Sequence, residues 1–243
     1  MAKRILITGA ATGIGAEAAK QLSQGNQLIL HYHTSKKEAE QLQDTLRLTA
    51  ESVDIVQADI SNDEGCIHLF ESVNQRFTGL DVLVNNAGGM VERRSVRDLT
   101  WNHLLATFRL NVFSTMRLTG LCTGLLEAGH CACVVNITSI AMRHGAPSAT
   151  AYGSAKAAID SFTRGAANEL APGIRVNAIA PGIIDTRFHQ RVTSESKMKQ
   201  FKEATPLKRF GHPVDIARAV QFLVENEFMT GETIDCNGGL FMR

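Results

Sequence analysis

Tyr152 and Lys156 stand four residues apart in "TAYGSAKAAID", residues 150–160, in a chain that has only two tyrosines. Four residues make about one turn of α-helix, so a helical stretch sets the phenol and the ammonium on one face. An ammonium close to a phenol favours the phenolate and lowers the tyrosine pKa. A tyrosine tuned in that way exchanges a proton near neutral pH. The pair also suits an ordinary solvated helix face, so it needs a second feature beside it. That feature lies near the start, where the first apolar run leads into "TGAATGIG", Thr8 to Gly15. Glycines between a strand and a helix let the backbone approach a pyrophosphate, and the helix N-terminus favours its negative charge.

These groups have to be positioned by the rest of the chain. Ala151, Ala155, Ala158, Ile159, Phe162, Ala166 and Leu170 recur at helical spacing around Tyr152 and Lys156. Short β-rich runs at 3–8, 27–32, 52–58, 80–85, 133–138 and 174–180 alternate with helical stretches at about 13–24, 35–49, 62–77, 100–127 and 151–171. This rhythm predicts βαβ units and an α/β fold with a mostly parallel, doubly wound sheet. The runs are apolar nearly throughout, as strands buried on both faces should be. Without a linker or repeat, residues 1–243 read as one domain. The polar stretch at about 183–212 breaks the rhythm just past a strand end and reads as a lid over the substrate.

Composition narrows the function. A net charge of +1 leaves no electrostatic footprint for nucleic acid or an anionic membrane surface. No apolar run approaches the length of a membrane span, and the N-terminal apolar run is too short for a signal peptide. Five cysteines form neither a disulfide framework nor a metal-ligand spacing, so no metal is expected. Together these point to the cytoplasm.

"TGAATGIG", "NNAG" (Asn85–Gly88), Asn111, Ser139, "YGSAK" (Tyr152–Lys156), "PGIIDT" (Pro181–Thr186) and "TGETIDCNGG" (Thr230–Gly239) occur in an order and spacing that resemble the short-chain dehydrogenase/reductase family. The resemblance spans essentially the whole chain and is nearest to the 3-oxoacyl-[acyl-carrier-protein] reductases. It implies a Rossmann-type three-layer sandwich of about seven strands. It also implies hydride transfer between a nicotinamide and a carbonyl or secondary alcohol, with 3-oxoacyl thioester reduction as the first expectation. Tyr152 would move the proton, and Lys156 would hold the nicotinamide ribose and depress the Tyr152 pKa. Ser139 would bond the substrate oxygen, and Asn111 would hold a water leading to the lysine. By the same resemblance Gly9, Thr12, Gly13, Ile14 and Gly15 meet the pyrophosphate, and Asp59 and Ile60 the adenine. Asn86, Ala87 and Gly88 would line the adenosine ribose side, and Pro181, Gly182, Ile184 and Thr186 the carboxamide end.

The second apolar run ends in "HTSKK", His33 to Lys37, with no acid before Glu38. An acid there binds the ribose 2′-hydroxyl of NAD, whereas donors and cations accommodate a 2′-phosphate. His33, Thr34 and Ser35 therefore favour NADP, with NAD possible. Met90, Arg143, His144 and Phe188 are the candidate substrate contacts. Relatives that receive an acidic carrier protein carry basic residues beside the long helices, yet 124–133, "GLLEAGHCAC", has no Lys or Arg. A sugar, polyol or other small alcohol is thus the alternative substrate. A dinucleotide-binding sensor on the same fold is the non-enzymatic alternative, and the set Ser139, Tyr152 and Lys156 argues against it. Family members pair their long helices, so 100–127 and 151–171 are expected to join a homodimer or homotetramer.

Overall fold

The computed structural model describes residues 2–186 and 194–242. Seven parallel strands form one sheet in the order β3-β2-β1-β4-β5-β6-β7. They are β1 (Arg4–Ile7), β2 (Gln27–Tyr32), β3 (Ser52–Gln57), β4 (Val82–Asn85), β5 (Cys133–Ile137), β6 (Arg175–Pro181) and β7 (Thr233–Cys236). Their positions follow the six apolar runs and the C-terminal motif.

Strand periodicity explains the three layers. Successive side chains point to opposite faces. Ile5, Ile7, Val82, Val84, Cys133 and Val135 pack on one side, with α1 (Gly13–Gln21) and α2 (Lys36–Leu46). Leu6, Leu83 and Val134 pack on the other, with α3 (Asp63–Arg76). The long helical stretch divides into α4 (Trp101–Phe108), a π-turn (Arg109–Phe113) and α5 (Ser114–Glu127), and α5 joins this second layer. A short α6 (Ala141–His144) precedes α7 (Thr150–Leu170), whose Ala166 and Ala167 also face that side.

Besides the short α6, two longer helices were not in the sequence reading. One is α8 (Glu195–Ala204), which lies inside the polar stretch read as a lid. The other is α9 (Pro213–Glu225), whose Ile216, Ala217, Val220 and Leu223 complete the first layer. Pro213 opens α9, and Asp215 accepts a hydrogen bond from the His212 backbone N–H at 2.8 Å. The Asp215 carboxylate also accepts from Arg209, and these two donors hold its pKa below the ordinary carboxylate range.

Strand order reverses between β1 and β4. In such sheets the crevice beyond the C-terminal strand ends, at this reversal, is where ligands bind. Thr8–Gly15, Asn86–Gly89, Thr138–Ser139 and Gly182–Thr186 all leave strands at that edge.

Candidate active site

A cleft of about 810 Å³ runs along the C-terminal edge of the sheet. Its floor is made by the loops after β1 and β4, locked to each other. Thr8 Oγ1 accepts from the N–H groups of Asn86 and Ala87, both at 3.0 Å. The Asn86 amide returns two bonds, to the carbonyls of Thr8 at 2.9 Å and Gly9 at 3.0 Å. Gly9 and Gly13 both take positive φ, at 62° and 58°, which a side chain would resist. Gly15 has no room for a Cβ, because the Gly9 carbonyl occupies that space. It therefore packs beneath the loop rather than lining the cleft.

His31 was missed in the sequence. It is 2% exposed on β2 and holds the glycine loop from below. Its Nδ1 accepts from the Gly9 N–H at 3.1 Å, and its Nε2 lies 3.1 Å from the Ala58 carbonyl. These partners fix the neutral tautomer with the proton on Nε2. Burial pushes its pKa down to about 4. The available signal was a polar ring inside the otherwise apolar run "LILHY".

At the other end of the cleft, β5 delivers Ser139 opposite Tyr152 and Lys156 of α7, and all three line it. The Ser139 hydroxyl hydrogen-bonds the Tyr152 phenol and accepts from the Ala141 N–H at 3.1 Å. Lys156 is 4% exposed and donates to the Ile137 carbonyl at 2.9 Å. Its Nζ lies 5.9 Å from the Tyr152 ring centroid.

The expected depression of the Tyr152 pKa is not met by the protein groups alone. Burial pushes the phenol up to about 12, and the bond with Ser139 only partly opposes it. Burial also pushes Lys156 down to about 8, so its charge is itself costly there. Burial is the main cause of both shifts, and neither is caused by the other member of the pair.

Asn111 is fully buried in the π-turn, and its side chain is committed to the backbone. Its Oδ1 accepts from the Gly89 N–H at 2.9 Å, and its Nδ2 donates to the carbonyls of Gly89 at 2.8 Å and Thr107 at 2.9 Å. The amide thus fixes the loop after β4. A Cβ on Gly88 would sit 2.8 Å from Asn111 Oδ1 and 3.0 Å from Lys156 Nζ, so this glycine is the seam between them.

The region of sequence similarity takes in almost all of this arrangement. The short-chain alcohol-dehydrogenase family model described as enoyl-(acyl carrier protein) reductase matches residues 9–241. The chain belongs to the short-chain dehydrogenase/reductase family. As a member it is an oxidoreductase that works with a nicotinamide dinucleotide. It is 34% identical to the 3-oxoacyl-[acyl-carrier-protein] reductase FabG of Staphylococcus epidermidis, over 100% of each chain. A short-chain dehydrogenase from Burkholderia cenocepacia J2315, solved in complex with NADP, is 29% identical with a TM-score of 0.89, covering 98% of this chain and 97% of that one. The NADH-dependent reductase A1-R′ responsible for alginate metabolism is also 29% identical, with a TM-score of 0.91 and coverage of 100% and 98%.

For a short-chain dehydrogenase/reductase, the cleft gathers most of the expected cofactor contacts. Gly9, Thr12, Gly13, Ile14, Asp59, Ile60, Asn86, Ala87 and Gly88 line it, as do Pro181, Gly182, Ile184 and Thr186. Asp59 accepts from the Ser61 N–H at 3.0 Å, and hydrogen bonds from Ser61 lower its pKa. His33 lines the cleft, but Thr34 and Ser35 do not; they lie where the chain turns into α2. Met90 lines the substrate end and packs with Tyr152 against Ala141, Ala146 and Ala149. Arg143 is a correction. Its guanidinium turns away to pair with Asp235 at 3.1 Å and to lie 5.7 Å over the Phe241 ring. Phe188 lies outside the described residues. His144 lines the cleft as well, and so do Arg93, Lys197 and Phe201, which were not among the expected site residues.

The residues present fit a dinucleotide. The N-terminus of α1 opens on the cleft with no side chain capping it, since Thr12 makes no capping bond. Its backbone N–H groups, beside two positive-φ glycines, form a cradle for a pyrophosphate.

Proposed function

We propose that the chain uses NADP(H) to interconvert a carbonyl and a secondary alcohol, with a 3-oxoacyl thioester as the substrate. The observation that carries this reading is the meeting of Ser139, Tyr152 and Lys156 at one end of a cleft whose other end is the glycine cradle. When bound, the cofactor supplies or receives the hydride. Tyr152 gives its phenolic proton to the carbonyl oxygen in reduction and takes it back in oxidation. Ser139 donates to the same oxygen and steadies its developing charge. Lys156, held by the Ile137 carbonyl, places a positive charge behind the phenol and opposes the burial that holds its proton on. Asn111 supports Lys156 through the Gly88–Gly89 backbone.

The preference for NADP is supported by the end of β2. His33 lines the cleft there, and no carboxylate stands between His33 and Lys37. The similar Burkholderia structure holds NADP, while the alginate reductase uses NADH, so both cofactors belong in the assay. A small alcohol or ketone is the second substrate reading, favoured by the lack of Lys and Arg at 124–133. In this proposal α8, within the stretch 183–212, covers the substrate with Lys197 and Phe201 on the cleft side; residues 187–193 of that stretch lie outside the described residues.

We also propose a cytoplasmic homodimer or homotetramer through 100–127 and 151–171. Trp101 and Phe113 are exposed on the first stretch, and nothing stands within 4 Å of a Cβ at Gly120, Gly124 or Gly165. Light scattering that gave a monomer mass at working concentration would remove this claim.

The test is the initial rate of NADPH oxidation with an acetoacetyl thioester, with NADH in parallel and Tyr152→Phe as control. Turnover that Tyr152→Phe abolishes, with NADPH binding retained, is expected. Turnover that survives Tyr152→Phe refutes the proton-transfer role.

A further inference from the structure

In the sheet, β2 lies between β1 and β3. Leu30 is its last residue paired with β1, opposite Ile7. His31 therefore stands where the glycine loop leaves β1, and it meets that loop twice. Its backbone carbonyl accepts from the Ala10 N–H at 2.8 Å, and its ring Nδ1 accepts from the Gly9 N–H at 3.1 Å. On its other side β2 still pairs with β3, His31 opposite Val56. There the ring Nε2 meets the Ala58 carbonyl at 3.1 Å. A neutral imidazole has one acceptor and one donor nitrogen, and both are used. One side chain thus ties the loop after β1 to the loop after β3, whose Asp59 and Ile60 line the same cleft as Gly9 and His31.

The ring completes the fixing of one peptide. The Gly9 carbonyl accepts from Asn86 Nδ2 at 3.0 Å. Gly15 packs against that carbonyl, with no room for a Cβ. The Gly9 N–H, in a residue held at φ 62°, is satisfied by His31. A buried donor left unpaired is costly, so removing the acceptor favours a different turn of this peptide. Gly13 follows four residues later and opens α1, whose uncapped N–H groups face the cleft. Those groups meet a pyrophosphate only while the loop before them keeps its shape. A loop set in its bound form before the ligand arrives raises affinity by lowering the ordering cost of binding.

We propose that His31 is a positioning residue for the cofactor: by accepting the Gly9 N–H, its ring holds the glycine loop in the shape that receives the pyrophosphate. This rests on the reading of that loop as the pyrophosphate cradle, and it applies to either nicotinamide dinucleotide.

Two amides separate the two bonds of the ring. In His31→Asn the amide oxygen stands as many bonds from the backbone as Nδ1 and can accept the Gly9 N–H. In His31→Gln the amide stands one bond further out, at the reach of Nε2, and the Gly9 bond is lost. Calorimetry measures the affinity of NADPH, of NADH and of adenosine 2′-phosphate, which has no pyrophosphate. His31→Gln should weaken the tighter dinucleotide about tenfold or more, and His31→Asn should keep it within about threefold. Adenosine 2′-phosphate should bind all three proteins alike. If circular dichroism shows His31→Gln unfolded, His31→Leu, with no polar atom at either place, carries the same expectation. Unchanged dinucleotide affinity without the Gly9 acceptor, equal losses in His31→Asn and His31→Gln, or a matching loss for adenosine 2′-phosphate overturns the inference. Failure of the wild type to bind either dinucleotide overturns the cradle reading and this inference with it. The expected pattern of affinities without Tyr152-dependent turnover would sink the proposed reaction and leave the role of His31 standing.

Discussion

The ring of His31 should make the protein lose stability in mild acid. In the folded chain its pKa lies at about 4, against an ordinary 6.5, because burial disfavours the charged form. The nearby Asp59 carboxylate favours that charge and His33 opposes it, but burial is the largest cause. Between these values the unfolded chain binds the proton and the folded chain does not. Stability is therefore complete above the unfolded value and declines as pH falls from 6.5 toward 4. The gap corresponds to about 3 kcal/mol over the whole window, of which about 2 kcal/mol falls between pH 7 and pH 5. Asp59, Asp81, Asp160 and Asp215 have lowered pKa values, so their losses begin only as pH falls into the ordinary carboxylate range, below this interval. Urea unfolding followed by far-UV circular dichroism at the two pH values measures the effect; the single tryptophan, Trp101, is too exposed to report on the core. His31→Asn is the reference, since its amide oxygen can accept the Gly9 N–H and does not titrate. The wild type should lose about 2 kcal/mol more than the variant on going from pH 7 to pH 5. Parallel losses in the two proteins would refute the reasoning.

Gly88→Ala places a methyl between Asn111 Oδ1 and Lys156 Nζ, and should lower kcat at least about tenfold with an unchanged circular dichroism spectrum; wild-type turnover would show that the seam is not needed. Asp81→Asn should cost about 3 kcal/mol in urea unfolding at neutral pH, because the carboxylate accepts from the Arg4 and His130 N–H groups and from the Arg4 side chain. Its pKa is lowered by those donors against the effect of burial, so wild type and variant should converge below the ordinary carboxylate range. Under native iodoacetamide, exposed Cys131 should be the first thiol modified and Cys122 and Cys133 should be spared. Burial raises the last two to about 12 and 11, and peptide mass spectrometry of labelled protein, folded and in urea, reads the order.

What the sequence made legible follows from how local each signal is. The strands announced themselves because strands covered on both faces must be apolar over short, bounded runs. The glycine loop and the pair on α7 were visible because their spacing alone constrains them. α9 has regularly spaced apolar residues, but it follows a long polar stretch, and only the sheet against which Ile216, Ala217, Val220 and Leu223 pack shows its place in the first layer. Arg143 looked like a cleft residue because it follows β5 closely, but its partner Asp235 comes from a strand 92 positions on. No local pattern contains that pairing. His31 is the same kind of case, since its two partners belong to the loops after β1 and β3. Burial raises the Tyr152 pKa in the protein alone, an effect that spacing does not contain, since it shows which groups are neighbours but not how much water is removed from around them.

The π-turn sets the phase of the helix that contains it. His103, Thr107, Asn111, Thr115 and Thr119 are all buried, at strict intervals of four. In an unbroken α-helix each step of four overshoots a full turn by about 40°, so four steps would carry the column about 160° around the axis. One extra residue in a wider turn takes back roughly 100° of that drift. The column can then keep facing inward from the loop after β4 to the Thr119 hydroxyl, which accepts from the Asn85 amide at 3.1 Å. Length, more than residue type, is thus what this segment encodes. Removing any single residue from 109–113 would heal the helix into regular winding and swing one half against the other. Either Asn111 would leave Gly89 or Thr119 would leave Asn85, and only at Asn111 itself would a substitution reach one of these contacts.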